Sequence, residues 1–185
     1  MVDYITKAEW RQLGSELPLN EQATLTRRAA ERSPVGATFL SHSSKDQGLL
    51  PGVIRTLEAH GATVYIDKKD PALPPYTSKD TAATLKQRIG QSRKFVLLAT
   101  ENSKNSTWVP WELGLADSKK GLSNVAIVPA VEDWSITAWT HWEYLGLYDR
   151  LVWGKINGRP RKEWIVLNHE KKSATPLNAW LSNSY

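Results

Sequence analysis

"KFVLLATENSKNSTWVPWELGLADSKKG", residues 94–121, decides how this chain folds. Residues 94–100 are a short, nearly unbroken apolar run of strand length. Strands apolar on both faces belong to a parallel sheet covered on both sides. The polar stretch 101–106 reads as a loop. Thr107 reads as the N-cap of a helix, with Pro110 at N3, where its missing N–H has no intrahelical partner to lose. Two stripes run along that helix: Trp108, Glu112 and Leu115 on one, Val109, Leu113 and Ala116 on its neighbour. The second stripe is the one expected to pack on the sheet. The first sets a carboxylate four residues from a tryptophan, near the C-terminal edge of the sheet. Glu112 then has two readings: a first-turn acid complementing the helix dipole, worth from a few tenths to about 1 kcal/mol, or a carboxylate held for a ligand.

The same strand–helix unit recurs on either side. "GATFLS" (36–41) reads as a strand followed by the polar turn "HSSKD". Leu50, Val53, Ile54 and Leu57 follow at helical spacing, with Gly61 in the C′ position. "ATVYID" (62–67) is a second strand, and 68–80 a long loop stiffened by Pro71, Pro74 and Pro75. Ser78 opens a helix with Ala82, Leu85 and Ile89 inward and Gly90 at its end. "NVAIVPA" (124–130) is a fourth strand. Strands alternating with helices predict a doubly wound α/β domain. Residues 1–34 read as a separate extension of two helices, the first with a Thr6/Glu9 capping box, the second capped by Asn20, packed on the main domain or on a partner. Beyond 135 the chain is rich in tryptophan. It carries a hairpin signal at Asn157-Gly158, and "TPLNAWLSN" closes as a short helix.

Composition narrows the function. The 185 residues carry a net charge of +5 and no cysteine, so disulfide and thiolate chemistry are excluded. The sequence pI is about 9.4, which favours an anionic partner. No basic run reaches five residues, so nucleic acid is not the expected one. No segment is apolar and long enough to span a bilayer, and residues 1–17 lack a signal-peptide core; a cytoplasmic setting is the expectation. The four histidines have no metal-ligand spacing, and His60 reads as serving a helix end. Phosphate-cradle glycine motifs, a nucleophile elbow and a receiver aspartate are missing. In a doubly wound sheet, ligands bind outside the carboxyl ends of the strands, which singles out the loops 41–47, 67–80 and 100–107.

Four stretches, in order, resemble a TIR (Toll/interleukin-1 receptor) domain: "ATFLSHSSKD", "GATVYIDKKDPALPP" with the proline-bearing BB loop, "QSRKFVLLATENSKNSTWVPWELGLA" with a W-x-x-x-E pattern, and "NVAIVPA". The match covers about residues 36–135 within a domain taken as 35–185, with 1–34 and 136–185 unexplained by the family pattern. The resemblance implies a five-stranded parallel, flavodoxin-like sheet. It also implies cleavage of NAD at the nicotinamide–ribose bond, with NAD as substrate, no cofactor and no metal. The chain looks most like bacterial free-standing TIR proteins of anti-phage systems such as Thoeris, where the enzyme makes an ADP-ribose-type signal nucleotide, often cyclic, for a separate effector. The catalytic glutamate of the pattern falls on Glu112, and Trp108 matches its tryptophan, shaping a ribose pocket or packing as core. Ser41, His42 and Ser43 are placed to meet ribose or phosphates, or to serve turn chemistry. Lys45 and Lys79 are candidates for the diphosphate, or solvated surface. Tyr65 and Asp67 stand beside the BB loop, toward ligand or a second TIR protomer, which in this family often completes the site. Two alternatives stay open: a non-catalytic TIR assembly module, and a deoxyribosyltransferase-like enzyme of related fold that also uses a glutamate.

Overall fold

A computed structural model describes residues 2–67, 79–132 and 143–183. The apolar runs become strands and the periodic stretches helices, in the order β1 (Val2–Asp3), β2 (Ile5–Thr6), α1 (Lys7–Ser15), α2 (Leu19–Glu31), β3 (Thr38–Ser41), α3 (Leu50–Ala59), β4 (Val64–Tyr65), α4 (Lys79–Gln91), β5 (Lys94–Ala99), α5 (Glu101–Lys104), α6 (Val109–Lys120), β6 (Val125–Val131), β7 (Asp149–Gly154), β8 (Glu163–Asn168), β9 (Ser173–Pro176) and α7 (Leu177–Ser182). The expected BB-loop prolines, the Ser78 helix start and Trp134, Trp139 and Trp142 lie outside the described residues.

The sheet runs β4-β3-β5-β6-β7-β8-β9. The pairs β4/β3, β3/β5, β5/β6 and β6/β7 are parallel. Numbered from β3, these five strands stand in the order 2-1-3-4-5, the flavodoxin-like arrangement of the sequence reading. The chain reverses its direction of travel between β3 and β5, so their carboxyl ends flank the crevice where such sheets bind ligands. The tryptophan-rich C-terminal part adds the antiparallel strands β8 and β9. Gly158 takes φ +84° in the β7–β8 connection, as the Asn-Gly turn signal requires.

Alternation along the strands divides the core. Phe39, Phe95, Leu97, Val125 and Ile127 pack with Leu85 and Ile89 of α4 and Val109, Leu113 and Ala116 of α6. Leu40, Val96, Leu98, Ala126 and Val128 pack with Trp10 of α1, Ala29 of α2, the inward residues of α3, and Trp180 of α7. The stripe expected to meet the sheet does so, with Val109, Leu113 and Ala116 at most 1% exposed.

The N-terminal segment is woven into the same sheet and core. β1 pairs with β7 and β2 with β6, and Trp10 is fully buried, stacked on Trp164 of β8 with centroids 5.2 Å apart. The Thr6/Glu9 capping box forms. The second helix begins differently from expectation: Pro18 takes the N-cap position without a side-chain bond, leaving Asn20 inside the first turn. α1 and α3 touch through glycines, with a Cβ on Gly52 falling 2.1 Å from Trp10 O. Only a residue without a side chain permits that approach. α4 continues one residue past the expected stop at Gly90.

Candidate active site

The first turn of α6 sets the site. Residues 101–104, expected as loop, form the short helix α5, capped reciprocally by Thr100 and Ser103. The cap of α6 comes from Ser106, not Thr107: its hydroxyl accepts from Trp108 N (3.3 Å) and Val109 N (3.4 Å). Trp108 occupies the N-cap position, so Pro110 falls at N2 rather than N3, still without a lost bond. The ladder then closes from Glu112 N to Trp108 O at 2.8 Å.

Glu112 itself points inward and is 0% exposed. Its Oε2 accepts a 2.5 Å hydrogen bond from Ser41 Oγ, a length typical of O–H donated to a carboxylate. Ser41 stands there because Phe39 and Ser41 share one face of β3, the face covered by α4 and α6. Two residues that the chain separates by 71 positions thus meet beside the point where the sheet reverses.

The loops on either side of that point are tied together. Asp46, 4% exposed, accepts from Thr100 Oγ1 (2.5 Å) and Asn102 Nδ2 (2.7 Å). This clamp escaped the sequence reading, although Asp46 lies in the singled-out turn and Thr100/Ser103 have capping-box spacing. His42 is buried, its Nδ1 3.4 Å from Leu40 O. Ser43 is buried too and caps the following 3-10 turn, accepting from Lys45 N.

The other candidates occupy the margins. Tyr65 donates its hydroxyl to Asp67 Oδ1 at 2.9 Å, and Arg88 of α4 pairs with the same carboxylate. Burial, then the neighbouring Asp67 charge, pushes the Tyr65 hydroxyl well above its ordinary pKa. Lys45 and Lys79 are exposed. Trp108 is half-buried, edge-on to Trp111 at 5.5 Å, and lines a cavity of about 370 Å³ with Ala82, Lys86, Thr107 and Trp111. A second cavity of about 200 Å³ is lined by Thr26, Ala30, His42, Ser44, Gln47, Leu50, Ile66 and Asp67. The structure therefore gathers Ser41, His42, Ser43 and Glu112 at one edge, sets Tyr65 at the end of the adjoining strand with Asp67 two residues beyond it, and puts Trp108 at the opening of α6. Among the described residues, no cluster of three or more His, Asp or Glu side chains could hold a metal ion. No helix among them is long and apolar enough to cross a membrane.

A fully buried carboxyl is suited to facing positive charge, because few water dipoles compete with it, and doubly wound sheets bind their ligands at this edge. Comparison with known proteins agrees with this architecture. The chain is 31% identical over 156 residues to a probable 3' cyclic ADP-D-ribose synthase, ThsB', of Bacillus cereus (strain MSX-D12), covering 83% of this chain and 79% of that protein. It is 30% identical over 113 residues to a putative cyclic ADP-D-ribose synthase, TIR2, of Cytobacillus dafuensis, covering 58% of this chain and 30% of that longer protein. The sequence profile of the TIR domain matches residues 38–164, a span that holds the parallel sheet and both partners of the Ser41–Glu112 bond, and the chain belongs to the TIR domain family.

Proposed function

We propose that the protein cleaves NAD at the nicotinamide–ribose bond and forms an ADP-ribose-type nucleotide, with a cyclic product as the names of both relatives indicate. The observation that carries this reading is Glu112, buried and hydrogen-bonded by Ser41 at the edge of the sheet.

The chemistry asks little more of the site. Nicotinamide carries its positive charge while attached and departs neutral with the bonding pair, so no general acid is needed. The ribose left behind is oxocarbenium-like, positive at C1 and the ring oxygen. Glu112 faces that charge and holds the ribose hydroxyls, as a carboxylate does in glycoside cleavage. Ser41 fixes the carboxylate. His42 and Ser43 border the ribose and phosphates, Lys45 and Lys79 attract the diphosphate, and Trp108 walls the ring. Tyr65 and Asp67 hold the adjoining edge, toward a second TIR protomer. The product is read as a signal nucleotide of anti-phage defence that acts on a separate effector, a reading supported by the likeness to the two cyclic ADP-D-ribose synthases.

Mass spectrometry of concentrated protein incubated with NAD tests the reading, with phage-infected lysate added in a parallel arm to supply an activating trigger. Nicotinamide together with ADP-ribose or a cyclic isomer is expected. Intact NAD in both arms overturns the proposal.

A further inference from the structure

A closed circuit of hydrogen bonds runs round the crevice between β3 and β5. From Glu112 Oε2 it passes to Ser41 Oγ at 2.5 Å. It follows the chain to Ser43, whose carbonyl accepts from Asp46 N at 2.9 Å. The Asp46 carboxylate then crosses to Thr100 Oγ1 and Asn102 Nδ2, at the start of α5. Ser103 O accepts from Ser106 N at 3.2 Å, and the Ser106 hydroxyl caps Trp108 N and Val109 N. Trp108 O accepts from Glu112 N at 2.8 Å, which closes the ring. Glu112 is thus held twice, by its side chain from the strand and by its backbone from the helix.

Asp46 makes the step between the two loops. A buried carboxylate costs free energy unless hydrogen bonds replace its water. Asp46, 4% exposed, has one on each oxygen, Oδ2 from Thr100 and Oδ1 from Asn102. Apolar side chains would also hold the loops together, but without direction. Charge-assisted hydrogen bonds are short and directional, so they fix a separation. The Ser41–Glu112 bond depends on that separation. If the α5–α6 connection drifted by about 1 Å from the end of β3, the hydroxyl would fall out of hydrogen-bond reach of the carboxylate.

We infer that Asp46 is a positioning residue for NAD cleavage: through Thr100 and Asn102 it sets α6 against the end of β3 and keeps the Glu112 carboxylate where Ser41 fixes it. The inference rests on the NAD-cleaving reading. It differs from a stabilising role in what it alters. A residue needed only for stability changes how much of the protein is folded. A positioning residue changes kcat in the protein that is folded, because a shift of about 1 Å at the reacting atoms costs on the order of 100-fold.

The test measures nicotinamide release from NAD by the wild type, Asp46→Ala, Asp46→Asn, the exchange Asp46→Asn/Asn102→Asp, and Val53→Ala, each well below its melting temperature. Val53 is fully buried on α3, outside the circuit, so its truncation weakens the core alone. Asp46→Ala is expected to lose about 10- to 100-fold in kcat, with KM changed by about threefold at most. Asp46→Asn keeps an acceptor for Thr100 but turns an amide toward the Asn102 amide, and should lose part of that. In the exchange the new amide donates to the new carboxylate at 102, so both bonds return and most of kcat should too. Val53→Ala should keep the wild-type kcat. Wild-type kcat in a folded Asp46→Ala or Asp46→Asn protein overturns the inference. A loss confined to KM, an equal loss of kcat in Val53→Ala, or an exchange no faster than Asp46→Asn does the same. If Asp46→Ala does not fold, Asp46→Asn against the exchange decides alone. A wild type that releases no nicotinamide overturns the parent reading and this inference with it.

Discussion

Ser41, the last residue of β3, donates its hydroxyl to Glu112 Oε2 across 2.5 Å, joining the first parallel strand to the first turn of α6. Both groups are buried, at 1% and 0% exposure, so the bond fixes the carboxylate without competition from water. Ser41→Ala is expected to slow nicotinamide release by roughly 10- to 100-fold, the loss of a hydrogen bond to a charged group at about 1.5–3 kcal/mol. KM for NAD should change far less than kcat. Ser41→Thr keeps the hydroxyl and suits a strand, and should restore most of the rate. Steady-state kinetics of the three proteins measure both effects.

Asp46 ties the loop after β3 to the loop after β5 through Thr100 and Asn102. Asp46→Ala leaves the buried Thr100 hydroxyl and the half-buried Asn102 amide without their acceptor, which costs about 1–3 kcal/mol. Urea unfolding of the variant should show that loss.

The N-terminal segment behaves as part of the domain in this account. Gly52→Ala drives a methyl group to 2.1 Å from Trp10 O. Backbone must move to accommodate it, and overpacking of this kind costs about 1–3 kcal/mol or more. Trp10→Ala removes a fully buried ring stacked on Trp164 and should cost about 3–5 kcal/mol. Removal of residues 2–16 strips β1, β2 and α1 together and should leave no cooperative melting transition by circular dichroism.

Lys94 supplies a pH signature. It is fully buried, donates to Asn124 Oδ1 at 2.7 Å and lies 4.7 Å from the Trp180 ring. Burial lowers its pKa to about 8, and burial does the same to Lys120. The unfolded chain keeps both protons until near pH 10.4, so above about pH 8 it binds more protons than the folded protein. Stability should therefore rise with pH from about 8 toward 10. Above that, the raised pKa of Tyr65 acts in the opposite sense, because the unfolded tyrosine loses its proton first. In Lys94→Met, the rise in urea-unfolding free energy between pH 7.5 and 9.5 should be clearly smaller than in the wild type.

The parallel core was legible because its signals are local. The apolar run at 94–99 and the Val109/Leu113/Ala116 stripe each carry their own period, and both landed where that period puts them. β1 and β2, of two residues each, are too short to carry any period. Their pairing follows from α1 docking on α3 through Gly14 and Gly52, a tertiary contact. The α6 cap moved from Thr107 to Ser106 because helix boundaries depend on which hydroxyl reaches the free N–H groups. Glu112 was legible as a carboxyl in an unusual place, but its full burial was not. Its stripe neighbours Trp108 and Leu115 are only half-buried, and what covers Glu112 includes the end of a strand far away in the chain. The wall that Thr26 and Ala30 give to the second cavity was invisible for the same reason.

Nicotinamide release from NAD by the wild type and by Glu112→Gln, at equal concentration and with matched melting temperatures, tests the central claim most directly. Glutamine keeps the shape and an acceptor for Ser41 but removes the charge. The account predicts release by the wild type and a loss of about a thousandfold or more in the variant. Equal rates from the two proteins would contradict it.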